Sequence, residues 1–262
     1  MKKYLKIWLK WAYFSFVVLS QTYKLSAFLF LLGKIFRFFF FLLGLLIFVG
    51  KSKILAGYTL DQAIFFFLIF NLVDIAAQFL FRGVYWFRSK LISGRFDYAL
   101  LRPINPLFEV LFGHPDPLDL VTLFFLGGLM IFYIGKHNLM AGFSSILVFV
   151  LLLFNAFILT FSLHVAVAAF GVITLEVDHL IWIYRDITKM GRIPIDIYAP
   201  ILRGLLTFVV PVAVMMTFPA KALMGLLSWR GVVFSFIVGG FFLWSSLSFW
   251  RFALTRYTSA SS

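Results

Sequence analysis

Runs of about twenty residues with almost no charge recur along the chain, and each matches the ~30 Å hydrocarbon core of a bilayer when wound into a helix. The strings FFFFLLGLLIFVG at 38–50 and ILVFVLLLFNAFIL at 146–159 are apolar at every turn. A transmembrane barrel would instead alternate polar and apolar positions with period two. The pattern predicts an all-α polytopic membrane protein with six spans, near 26–49, 62–82, 118–135, 141–165, somewhere within 166–218, and 232–250. Ahead of them, Lys3, Lys6 and Lys10 follow i, i+3, i+7 spacing, while Leu5, Trp8, Trp11 and Ala12 gather on the other face. This spacing predicts an amphipathic helix over 1–24, lying on the membrane surface, followed by one six-helix domain over 25–262. The apolar run from Trp11 to Leu19 ends without a small-x-small cleavage site, which argues against a signal peptide.

An even number of spans puts both termini on one side. Residues 2–24, 82–117 and 251–262 hold twelve Lys and Arg, whereas the loops at 50–61, 136–140 and 219–231 hold five. The positive-inside rule therefore predicts cytoplasmic termini and a cytoplasmic 82–117 loop in a cell (plasma) membrane protein. The fifth span is ambiguous. EVDHLIWIYRDITKMGR at 176–192 is amphipathic and charged, and PIDIYAPILRGLLTFVVPVAVMMTFP at 194–219 is apolar but carries four prolines. Either 176–198 stays cytoplasmic and 200–218 spans, or the span comes earlier and 194–219 is a broken hairpin dipping in from outside.

Composition narrows the function. Of 262 residues, 63% are apolar and 37 are Phe, far from a soluble domain. The net charge of +13 sits at span ends and in short loops, which suits anionic head groups and leaves no basic domain for nucleic acid. Without cysteine there is no disulfide or thiolate metal site. No phosphate loop, H-E-x-x-H or G-x-S-x-G motif occurs, and Glu176, Asp178 and His179 split between helix faces rather than forming a metal cluster. The chain reads as a non-enzyme without its own nucleotide site, cofactor or metal.

The largest loop between spans, 83–117, contains Ser93-Gly94, then Arg95 to Arg102 with room for about two helical turns, then Pro103 and Pro106 as stops. It is a short, stiff knob. The pattern Gly94, Phe96-Asp97, Leu100-Leu101-Arg102-Pro103 and Asn105-Pro106 resembles the cytoplasmic loop of permease subunits of ATP-binding-cassette transporters, type-2 exporter class. The likeness extends to the basic first helix, the Tyr23-Lys24 approach to the first span, and the stretch from Pro194-Ile195 through Tyr198, Leu202-Arg203 and Pro211 to Pro219-Ala220. The resemblance implies six spans, a coupling helix between spans two and three, and a re-entrant hairpin before the last span, which favours the second reading of 194–219. It further implies a second permease, identical or related, and separate ATPase subunits that carry ATP and Mg. The charged stretch 176–192 departs from the family's fifth helix.

On that resemblance the 93–109 knob is expected to meet the ATPase, with Phe96, Tyr98, Leu100 and Leu101 as apolar anchors and Arg95, Asp97 and Arg102 fixing orientation. The alternative is an ion-coupled secondary transporter, for which Lys34, Arg37, Asp74 and His164 would be coupling groups. Lys34 and Arg37 lie roughly 12–17 Å along the first span, and Asn71, Asp74 and Gln78 share one face of the second, with Asp74 ~12 Å above Arg82. A lone charge at a helix centre costs ~2.5–3.5 kcal/mol, so the matched depths predict a Lys34–Asp74 or Arg37–Asp74 pair.

Overall fold

A computed structural model describes residues 2–22, 24–52, 57–139 and 142–259, so Tyr23 lies outside the described residues. The described residues are all-α. Helix α1 (Lys2–Thr22) leads into α2 (Lys24–Ser52), and α3 (Leu60–Phe81) returns. A 3-10 turn and three short helices follow, α4 (Phe87–Ile92), α5 (Arg95–Leu101) and α6 (Pro106–Phe112). The long helices α7 (Pro117–Lys136) and α8 (Phe143–Thr174) follow as two successive passes, α7 packed on α3 and α8 on α12. Next come α9 (Val177–Thr188), α10 (Pro200–Phe208), α11 (Phe218–Leu223) and α12 (Trp229–Thr255). Segments of α2, α3, α7, α8 and α12 are long and apolar enough to cross a membrane, and the bent pair containing α10 and α11 makes a sixth if counted as one span.

Local chemistry sets the boundaries. Thr59 and Gln62 form a reciprocal capping box at the start of α3, and Asp116 caps α7 with Pro117 behind it, where a missing N–H costs nothing. The span expected at 141–165 runs on to Thr174, and at ~1.5 Å per residue α8 is about 48 Å long, well beyond the hydrocarbon core. It packs closely along α12. A Cβ at Gly239 would collide with the Asn155 side chain, whose Nδ2 donates to the Ser235 carbonyl at 2.8 Å.

Helix α1 turns Tyr4, Trp8 and Trp11 toward the protein. Tyr4 and Trp11 pack on Phe108, with ring centroids 4.8 and 5.7 Å apart, and Trp8 packs on Phe79. Leu5, placed by spacing on this face, is exposed. Rotation toward the 103–108 loop, where Lys3 donates to the Pro103 carbonyl and the Asn105 N–H donates to the Tyr4 hydroxyl, accounts for the shift.

The ambiguous region takes a definite path. Asp178 faces Arg88 at 3.7 Å at the end of the bundle that carries α1 and the knob, called here the basic end. Eighteen residues later Asp196 accepts from the Tyr58 hydroxyl at 2.7 Å, beside the start of α3 at the far end. The charged segment 177–196 therefore runs the length of the bundle, with α9 rising ~18 Å and the following 3-10 turn about 8 Å. Asp196 also pairs with Lys221 at 2.8 Å, so the chain between them leaves and regains the same level. Within it α10 and the Ala213–Leu223 segment meet at 78°, bent between Phe208 and Ala213 where Pro211 lies. A π turn over Ala213–Thr217 precedes Pro219, which has no N–H to continue an α ladder.

Burial opposes the charge on Asp196, but hydrogen bonds from Lys221 and Tyr58 outweigh it and hold the carboxyl below its usual range. A depressed folded pKa means the clamp stabilises the fold above the unfolded value of about 3.9 and is lost only as pH falls further. Asp196→Ala removes the acceptor of both donors. Amide exchange across 200–223 should accelerate at least tenfold at neutral pH while α8 and α12 keep their protection; unchanged exchange in the hairpin would show that Asp196 does not hold it.

Candidate functional site

Two features stand out at the basic end: a layer of charges between helices, and the knob beneath it. The layer centres on Asp119, fully buried in the first turn of α7. Its Oδ1 pairs with Lys34 of α2, and its Oδ2 accepts from Arg82, at the end of α3, at 2.8 Å. Arg82 also reaches Asp116 at 2.9 Å. Lys34 additionally lies over the Phe30 ring, 4.6 Å from its centroid.

This corrects the expected Lys34–Asp74 pair. Helix α2 starts below the level at which α7 begins, so Lys34, counted as deep, stands level with Arg82 and Asp119 instead. Asp74 lies eight residues farther up α3, ~12 Å away along the axis. Among the described residues, neither Lys34 nor Arg37 forms an ion pair within 4.0 Å of Asp74. Gln78 donates to Asp74 at 2.8 Å, and Arg185, Arg37 and Arg192 attract it electrostatically. Asn71 bonds the Phe67 carbonyl one turn back.

The five intramembrane residues singled out from sequence still converge. Lys34, Arg37, Asn71 and Asp74 line a cavity of about 400 Å³ among α2, α3 and α7, where Arg192 joins them. Lys34, Arg37 and Gln78 also line a second cavity, of about 710 Å³, among α2, α3 and α9, with Arg82 and Arg185. The Arg185 guanidinium lies 5.8 Å from the Tyr85 ring and 5.3 Å from Trp182, and Arg192 lies 5.3 Å from both Phe41 and Phe70. His164 is buried elsewhere, its Nδ1 on the Thr160 carbonyl at 2.8 Å. Glu176 and His179 pair with each other while Asp178 turns to Arg88, so they do not converge as a ligand set. Sequence reasoning missed Asp119, Arg185 and Arg192. The signals were present: two carboxylates bracket the Pro117 start of α7, and Arg185 and Arg192 are spaced i, i+7 on a segment too polar to score as a span.

The knob is a clamped structure. Gly94 takes φ +68°, a left-handed turn that lets α5 fold back on α4. Glu109 of α6 holds Lys90 at 3.3 Å and Arg102 at 3.1 Å, closing α4, α5 and α6 into one body. Phe96 is fully buried against Phe87 and Tyr257, with centroids 5.0 and 5.1 Å away. Asp97 accepts from the Tyr257 hydroxyl at 2.8 Å and from Ser259 at 2.6 Å, tying α5 to the chain after α12. Burial and the bond to Asp97 push the Tyr257 hydroxyl up to about 12, so it donates as a neutral phenol at physiological pH. The expectation that Phe96 faces a partner is therefore corrected, because the helix turns it into the core. Tyr98, Leu100 and Leu101 are exposed, 65%, 39% and 83%, and Arg95 is exposed beside them.

Comparison with known proteins yields one family. Residues 31–261 match the model described as ABC-2 family transporter protein. No curated protein and no solved structure matches the chain.

Removing one partner of a buried ion pair costs about 3–5 kcal/mol. Asp119→Asn should lower the thermal midpoint well below that of the parent, and more than Asp74→Asn, which retains an acceptor for Gln78. Asp119→Asn with Lys34→Met should recover part of the loss by removing the stranded cation. Equal midpoints for the two single variants would refute the Asp119-centred layer.

Proposed function

The chain belongs to the ABC-2 transporter family, and on that premise we propose that it is the permease half of an ATP-driven exporter, paired with a second permease and energised by separate ATPase subunits. The observation that carries this reading is the knob. Tyr98, Leu100 and Leu101 form an exposed apolar tip on a body clamped by Glu109, braced by α1 and tied to the end of α12. Small interfaces concentrate their energy in such anchors, and a rigid body transmits a partner's movement to the helices it is bolted to. ATP and Mg would be held by the docked ATPase. With both termini and the knob on the cytoplasmic side, the lysine-rich first helix faces anionic lipid, in keeping with the positive-inside count.

A second permease is supported by α9. Asp186, in its last turn, pairs at 2.6 Å with Lys189 of the 3-10 turn that follows, on an exposed face of a segment that runs between the two ends of the bundle. Charged groups are expensive against hydrocarbon, so a polar companion or an aqueous path beside this face removes the penalty. Ile183 of the same helix is exposed as well.

Isolation from the native membrane should return an ATPase subunit whose hydrolysis depends on this chain. Leu101→Asp with Tyr98→Ala should weaken that association at least tenfold without shifting the permease's thermal midpoint, whereas Phe96→Ala should lower the midpoint. A preparation that contains no ATPase and still transports on an ion gradient after ATP depletion would overturn the reading in favour of a secondary transporter.

A further inference from the structure

The two cavities are continuous in their walls, because Lys34 and Arg37 of α2 line both. They differ in chemistry. The smaller is walled chiefly by apolar side chains, among them Phe38, Phe41, Phe67 and Phe70. The larger is cationic, with Lys34, Arg37, Arg82 and Arg185 around it. Together the layer holds five cations, these four and Arg192, against three carboxylates, Asp74, Asp116 and Asp119. The remaining acid on the wall, Asp178, is taken by Arg88. Two positive charges are left without a counter-charge in a region of low dielectric, where that is costly. The Nε of Arg185 is buried without a hydrogen-bond partner, and its guanidinium is held in place beside two rings. Residues on the cavity walls are themselves exposed, Ile35, Phe39 and Phe125 of the smaller and Leu29 and Phe30 of the larger, so both cavities open on the apolar outer surface of the bundle.

We propose that the paired cavities bind one anionic amphiphile, its oxyanion head group among Arg37, Arg185 and Lys34 and its acyl chain along the rings of the smaller cavity. Guanidinium forks match phosphate and carboxylate oxygens in pairs, and the phenyl wall takes a chain that water disfavours. Each cavity, at about 400 and 710 Å³, falls in the range of small-molecule sites. Binding stands apart from the exporter reading, which decides only whether this ligand is cargo; a chain with no ATPase partner would bind it equally.

Native mass spectrometry of the full chain in neutral detergent tests the site. The probes are phosphatidylglycerol, phosphatidylcholine with the same acyl chains, and soluble glycerophosphoglycerol. One phosphatidylglycerol should be retained at least tenfold more tightly than phosphatidylcholine, and the soluble head group should not displace it at equal concentration. Arg37→Gln with Arg185→Gln should abolish the preference, while Arg251→Gln with Arg256→Gln, which removes two charges outside the cavities, should keep it. Equal retention of the two lipids, equal loss in both double variants, or displacement by the head group alone would overturn the proposal. If the cavity variant does not fold, lipids brominated on the acyl chain provide the second measurement in a chain that keeps every cation and carries Phe125→Trp on the wall of the smaller cavity. Brominated phosphatidylglycerol should quench more of the emission gained by that substitution than brominated phosphatidylcholine; equal quenching of it would overturn the site.

Discussion

A carboxylate without access to solvent must be met by cations, and Asp119 meets this requirement with one from each of two neighbouring helices. Lys34 of α2 and Arg82, directly after α3, are brought to the first turn of α7, and Asp116 takes the second arm of Arg82. The pairing matters most for α2, whose span is otherwise the least buried of the long helices. Ring packing of Phe38 and Phe41 on Phe67 holds its upper half, while the buried charge fixes its height and rotation below. Once α2 is placed, Arg37 faces both cavities and the charged layer is complete.

The segment 177–196 depends on the same layer. Arg185 and Arg192 are tolerable between helices because Asp74 attracts them and aromatic faces lie beside them. Its outward pair, Asp186 and Lys189, has no such shelter among the described residues, and the proposed second permease would cover it. The knob is the other surface the proposed assembly would use. Its interior is spent on holding shape, through Phe96, Asp97 and Glu109, and its tip is left apolar and exposed.

Hydropathy made five of the long apolar helices legible, since a bilayer imposes length and composition on each independently. The knob's turns were also legible, because Gly94, Pro103, Asn105 and Pro106 act locally. What could not be read was how far each helix extends beyond the common end of the bundle. The Lys34–Asp74 expectation failed for this reason, as depth counted along one helix says nothing of its vertical offset against another. Facing was the second obstacle: alternate residues Phe96 and Tyr98 look equally suited to a partner, and only packing against Phe87 and Tyr257 separates core from tip. The fifth pass was hidden because its charges are stabilised by residues distant in sequence, which a window average cannot register.

The central claim, that buried charge on Asp119 sets the position of α2, is open to direct measurement. The chain has no cysteine of its own, so spin labels introduced by Phe40→Cys on α2 and Ile131→Cys on α7, both exposed positions, report one distance. Double electron–electron resonance in lipid should give a single narrow distribution for the labelled parent and for Asp74→Asn, and a broadened or shifted one for Asp119→Asn. An identical narrow distribution in Asp119→Asn would contradict the account.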